Sequence, residues 1–194
     1  MVLNRFEASF MQYLKSSFGG KKAFLWYVYF LTIGMLIGRY YRYKKVPKSV
    51  NRIVFVCKGN ICRSAFAEYY FKKISNIPCA SFGLNATTGS MANDRISSLS
   101  QMVGIDLESH ITTAFNDFDF KVGDLFVCME PNQVNQLINQ VPNASVLLLG
   151  WFTQSKRIYI HDPYGACDEY AKKSLDVITE SVNNLVLALE EASK

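Results

Sequence analysis

The stretch IVFVCKGNICRSAFAE at residues 53–68 restricts the fold more than any other part of the chain. An apolar, β-branched run at 52–57 reads as a buried parallel strand, a loop carrying Gly59 follows, and a helical pattern runs from Ser64 to about Ser75. The alternation repeats downstream. Strands are expected near 79–82, at 124–129 and at 145–149. Helices are expected across 94–103, with Ile96, Leu99 and Val103 on one face, across 131–140, and from Asp168 to Glu191 through Leu175, Ile178, Val182, Leu185 and Leu189. The predicted architecture is an α/β three-layer sandwich around a four-stranded, mostly parallel sheet, with ligands at the strands' C-terminal ends. With 49% hydrophobic and 19% charged residues in 194, its core can be filled and global disorder is excluded.

Charge divides the chain in two. Residues 1–52 hold ten Lys or Arg against one acidic residue, Glu7, while the remainder holds eleven against fifteen. A nucleic-acid binder is expected to carry positive charge on its folded domain, so nucleic acid is excluded as a partner and the basic segment needs its own explanation. Residues 1–20 read as an amphipathic N-terminal helix: Leu3, Phe6, Phe10, Leu14 and Phe18 recur three or four apart until Gly19-Gly20 breaks the pattern. From Ala23 to Gly38, sixteen residues carry no charge. Such a helix rises about 24 Å, short of the roughly 30 Å hydrocarbon core of a bilayer. Lys22 and Arg39 at its ends, with Trp26, Tyr27, Tyr40, Tyr41 and Tyr43, suit snorkelling and interfacial anchoring.

The expectation is therefore a single-pass transmembrane helix at 21–43, a basic linker at 44–51 containing Pro47, and a folded domain over 52–194. Positive charge is heavier after the apolar run, which places that domain in the cytoplasm. A helix covered by the protein's own core or by a partner is the alternative reading of the same run. Gly34 and Gly38, in G-x-x-x-G spacing, would let two such helices approach as a homodimer.

The five cysteines, Cys57, Cys62, Cys79, Cys128 and Cys167, are an odd number, form no C-x-x-C pair, and share the chain with only two histidines, His110 and His161. Free thiols in a reducing compartment follow, and neither a metal nor an organic cofactor is expected. Cys57 closes the first strand, Lys58, Gly59, Asn60, Ile61 and Cys62 form the loop, and Arg63 and Ser64 open the helix. Such a loop can turn successive N–H groups inward as an anion-binding nest that the helix N-terminus reinforces. Those dipoles and a guanidinium stabilise a thiolate, and the planar fork of Arg63 grips two oxygens of a tetrahedral dianion. Cysteine beneath a phosphate cradle implies attack on phosphorus and a covalent phosphocysteine.

The run V-C-x-G-N-I-C-R-S closely resembles the loop of the low-molecular-weight protein tyrosine phosphatase family, C-x5-R-[ST]. The resemblance continues through Gly83, residues 124–129 and Asp162-Pro163-Tyr164 to the C-terminus, and leaves the first fifty residues outside. Ala65 stands where the family has a proline, and Glu130 where it usually has an aspartate. The resemblance implies Cys57 as nucleophile, Arg63 as phosphate clamp, Asn60 as keeper of a strained loop, Ser64 as hydrogen-bond partner of the Cys57 thiolate, and Asp162 as the proton donor and later base. It implies that Cys62 can pair reversibly with Cys57; Tyr164, and less directly Tyr170, is expected to shape the cleft mouth or accept phosphate, and Cys79, Cys128 and Cys167 are read as structural. His161 would orient the acid loop or lie beside it, and His110 would cap or pack. The expected activity is hydrolysis of phosphotyrosine on proteins, with a membrane tyrosine kinase as an expected partner. Two alternatives use the same residues: an arsenate reductase, which needs a cysteine relay, and a catalytically silent phosphotyrosine-binding module.

Overall fold

The computed structural model describes residues 2–36, 43 and 45–194, with side chains over 7–33, at 43 and from 45 onward. Two helices come first, α1 (Val2–Phe18) and α2 (Lys21–Leu36). They are followed by β1 (Arg52–Cys57), α3 (Arg63–Ile74), β2 (Cys79–Gly83), α4 (Asp94–Gln101), β3 (Asp124–Cys128), α5 (Pro131–Gln140), β4 (Ser145–Leu148) and α6 (Asp168–Ala192). The strands form one four-stranded sheet in the order β2-β1-β3-β4, and every pairing is parallel. The α/β sandwich predicted from the alternation is the one observed.

Period-two alternation splits the buried strands between two cores. Ile53, Phe55, Cys57, Leu125, Val127 and Leu147 point to one face, where α3 and α6 cover them with Phe66, Phe71, Leu175, Ile178, Val182 and Leu185. Val54, Val56, Phe126, Cys128, Val146 and Leu148 point to the other, against Val134 and Leu137 of α5. Helix α4 is shorter than expected: it ends at Gln101, and Val103, predicted on its buried face, is half exposed.

The transmembrane reading of residues 21–43 is overturned. No described helix is long and apolar enough to cross a membrane. Helix α2 has sixteen residues, and its apolar side is occupied by the domain itself. Phe30 is 2% exposed, joins the second core, and meets the Tyr159 ring at 5.2 Å between centroids, with Tyr27 and Ile33 packed alongside. Tyr43, expected at a bilayer interface, is buried in the same core. A run with no charges looks alike whether lipid or protein receives it, and here protein covers the part around Phe30 while Leu25, Trp26, Val28 and Tyr29 stay exposed. The single-pass localisation, its cytoplasmic orientation and the membrane as a partner of 21–43 fall together. The homodimer expected through Gly34 and Gly38 rests on residues whose packing lies outside the described residues, as do Arg39, Tyr40 and Tyr41.

The break at Gly19-Gly20 is present, both glycines having positive φ, and it folds α1 and α2 into a hairpin. The amphipathic stripe of α1 is only partly buried, since Leu14 is covered while Phe10 is half exposed. Residues 45–50 are not a free linker: Val46 and Val50 pack on the first core.

Candidate active site

The loop between β1 and α3 sits at the C-terminal end of a central strand, where parallel α/β sheets place ligands. Cys57 Sγ accepts the Asn60 backbone N–H at 3.2 Å and lies 3.0 Å from Ser64 Oγ. The Asn60 N–H donates to the sulfur, and at the Ser64 contact either atom can be the donor. Asn60 adopts φ 56°, the left-handed conformation that Asn tolerates better than most residues. Its buried side chain is bonded on every side. Nδ2 donates to Ser64 Oγ at 2.9 Å and to Ser81 Oγ at 2.7 Å, and Oδ1 accepts from Thr113 N–H at 2.8 Å. Its carbonyl lies 2.7 Å from His110 Nε2, which therefore carries the proton. Ser81 in turn donates to Glu68 Oε2 at 2.5 Å. Gly83 is required by close approach: a Cβ there would stand 2.9 Å from the Asn60 nitrogen and from the Gly59 carbonyl carbon.

Arg63 is buried, and its guanidinium has most of its contacts on one side. Nη1 donates to Ile160 O at 3.0 Å and Glu130 Oε1 at 3.2 Å, and Nη2 pairs with Asp162 Oδ2 at 2.9 Å. Burial works against the charge on Arg63, but Asp162 and Glu130 outweigh it and raise its pKa. Nε is buried with no hydrogen-bond partner among the described residues. A buried guanidinium N–H left open beside a thiol is a donor prepared for an incoming oxygen. Glu130 fills the acidic position one methylene longer than aspartate and still reaches the arginine.

Asp162 opens a turn in which its Oδ1 accepts from Tyr164 N–H at 3.1 Å, and its side chain remains one-third exposed. Arg95 reaches over from α4 to donate to the carbonyls of Pro163, at 2.6 Å, and of Ala166. Tyr164 stands exposed next to Asp162, whereas Tyr170 is buried with its hydroxyl turned to the His161 carbonyl. Lys58 is exposed, Ile61 half-buried, and Cys62 buried at the head of α3. Cys62 is a free thiol pushed up to about 12 by burial and by Asp162 and Cys57. Cys79 is pushed up to about 12 by burial and by Glu68, and burial raises Cys128 as well. Among the described residues no His, Cys, Asp and Glu cluster could hold a metal ion.

The structure thus gathers Cys57, Asn60, Arg63, Ser64 and Asp162 into one site. Four supporting residues went unread in the sequence: Glu68, Ser81, Arg95 and Thr113. A serine inside the apolar strand CASFG and a glutamate on the buried side of α3 were the available signals.

Comparison with known proteins agrees with this geometry. The family model for low molecular weight phosphotyrosine protein phosphatases matches residues 52–194. A low molecular weight protein-tyrosine-phosphatase of Acinetobacter johnsonii is 34% identical over 115 residues, covering 58% of this chain and 79% of the relative. A low molecular weight phosphotyrosine protein phosphatase of Pongo abelii is 33% identical over 132 residues, covering 60% and 82%. The crystal structure of the Erwinia amylovora tyrosine phosphatase AmsI superposes with a TM-score of 0.65 at 27% identity, over 72% of this chain and 93% of that one. Sheet order, loop and sequence all lead to one assignment: from Arg52 onward, this chain belongs to the low molecular weight phosphotyrosine protein phosphatase family.

Proposed function

We propose that this phosphatase cleaves phosphotyrosine on proteins through a phosphocysteine on Cys57, with Arg63 as clamp and Asp162 as proton carrier. One observation carries the reading: Arg63 pairs with Asp162 at 2.9 Å while the neighbouring Cys57 Sγ is held by the Asn60 N–H and Ser64. Nucleophile, clamp and acid share one mouth.

The Cys57 thiolate attacks phosphorus, forming the S–P bond as the P–O bond to tyrosine breaks. Phosphate oxygens meet the inward N–H groups of the loop over Lys58, Gly59, Asn60, Ile61 and Cys62, and the Nε–Nη2 edge of Arg63. Nη2 carries two hydrogens, so it can hold Asp162 with one and a phosphate oxygen with the other. Asp162 donates its proton to the departing tyrosyl oxygen, a phenolate of conjugate-acid pKa about 10 that leaves poorly unprotonated. Water then attacks the phosphocysteine, giving its proton to the Asp162 carboxylate. The S–P bond breaks, and thiolate and inorganic phosphate result.

Asp162 makes ester cleavage the better reading over arsenate reduction, and burial of Cys79 and Cys128 as protonated thiols suits a structural role rather than a relay. The convergence of three reactive groups argues against a silent binding module. A membrane tyrosine kinase as partner loses the span that would have set it beside this domain, since no described helix is long and apolar enough to cross a membrane.

The test is hydrolysis of p-nitrophenyl phosphate and of a phosphotyrosine peptide by the wild type, Cys57→Ser and Asp162→Ala. Cys57→Ser abolishes turnover. Asp162→Ala lowers turnover of the peptide by roughly 10²-fold or more while the peptide still binds. Full turnover in Cys57→Ser overturns the nucleophile, and unchanged turnover in Asp162→Ala overturns the acid.

A further inference from the structure

The α1–α2 hairpin lies outside the family's matched region, yet its turn ends beside the acid loop. Gly19 faces His161, the residue preceding Asp162. A Cβ on Gly19 would stand 2.7 Å from His161 Cδ2 and 3.2 Å from Tyr170 Cε1, and its φ of +83° disfavours any side chain. The neighbouring Gly20 also has positive φ but would meet nothing within 4 Å.

Further contacts bind the hairpin to the same loop and to α6. Cys167 Sγ donates to the Lys15 carbonyl at 3.5 Å, and Lys173 Nζ donates to Ser17 Oγ at 3.2 Å. Phe30 meets Tyr159, whose hydroxyl lies 2.7 Å from His161 Nδ1. The Tyr170 hydroxyl donates to the His161 carbonyl at 3.4 Å. The loop from Tyr159 to Cys167 is thus held by Arg63 from below, by Arg95 from α4, and by the hairpin from outside.

We propose that the N-terminal hairpin is a positioning element for catalysis: its Gly19 turn seats the His161 ring and thereby fixes where Asp162 delivers its proton. This rests on Asp162 being the general acid. The carboxylate must lie within hydrogen-bond reach of the leaving oxygen, and a shift of about 1 Å from a remote change can cost about 10²-fold in rate. Of the two side chains nearest the turn, His161 and Tyr170, His161 is the one that precedes Asp162 in the chain. Burial, chiefly, and Arg63 lower its pKa to about 4, so a neutral ring occupies the seat at neutral pH. His161 is a positioning residue.

The experiment compares Gly19→Val, Gly19→Ala, Gly20→Ala and Asp162→Ala in the full chain. The readout is kcat/KM for phenyl phosphate, whose leaving group needs a proton, and for dinitrophenyl phosphate, whose leaving group does not. Inorganic phosphate as competitive inhibitor probes the Cys57 loop. Gly19→Val is expected to lower kcat/KM for phenyl phosphate about tenfold and for dinitrophenyl phosphate less than about twofold. Gly19→Ala gives a smaller loss of the same selectivity, Gly20→Ala leaves both values unchanged, and phosphate binds all variants about equally. Equal losses on both substrates, or weakened phosphate binding in both Gly19 variants, would place the damage in the fold or loop and overturn the proposal. So would unchanged kinetics in Gly19→Val beside a leaving-group-dependent loss in Asp162→Ala. A loss in Asp162→Ala that ignores the leaving group overturns the acid assignment itself, and the proposal with it.

Discussion

At the scale of single residues, the site depends on buried polar groups that, Arg63 Nε apart, are bonded to one another, because an unpaired one would cost about 1–3 kcal/mol. Asn60 shows the logic: its amide spans Ser64, Ser81 and Thr113, so one side chain holds the nucleophile loop, the head of α3 and β2 in register. Ser64 is the member that touches the reacting sulfur. In the proposed mechanism Cys57 is the leaving group when water cleaves the phosphocysteine, so Ser64→Ala should lower kcat about tenfold, the worth of one hydrogen bond to a charged group, and leave phosphate inhibition nearly unchanged. Steady-state kinetics checks it, and a raised KM with unaltered kcat would assign Ser64 to binding. Cys57, Asn60, Arg63 and Ser64 were legible because one loop carries them at fixed spacing. Ser81, Thr113 and Glu68 were not, because they arrive from separate elements, and a lone polar residue in a strand does not announce its partner.

At the scale of elements, the period-two and helical patterns were legible wherever one face met a core, which is why the strands and α3, α5 and α6 fell within about a residue or two of expectation. Helix α2 shows where that reading stops. Hydropathy measures how much water a segment avoids, without saying what replaces the water. Sixteen residues without charge satisfied the membrane pattern, yet Phe30 is covered by Tyr159 and its neighbours, while Leu25 and Tyr29 stay exposed. The asymmetry is measurable. Phe30→Ala should destabilise the chain by about 3–5 kcal/mol in urea unfolding, the cost of emptying a buried aromatic site. Leu25→Ala, at a position 67% exposed, should change it by about 0.5 kcal/mol or less. Equal small effects from both would mean that α2 does not pack on the domain in solution.

At the scale of the whole molecule, the hairpin turn and the catalytic domain meet around His161. His161 faces Arg63 and Asp162 of the site, Tyr159 below, Tyr170 of α6 and the uncharged turn at Gly19. Its pKa is lowered to about 4 from an ordinary 6.5, by burial first and then by Arg63, with Asp162 opposing. Between those two values the unfolded chain binds a proton that the folded chain refuses, so stability rises with pH across the window. Above it His161 is neutral in both states and contributes no slope. Acidification from pH 6.5 toward 4 should therefore weaken the fold, and His161→Phe, which cannot take the proton, should lose less over that interval than the wild type. Urea midpoints measured at several pH values in both proteins test this directly. The decisive quantity is the difference between the two slopes, since carboxylates elsewhere titrate in both chains alike. Parallel curves would mean that His161 is as free to charge in the folded state as in the unfolded one, and that the hairpin does not bury it.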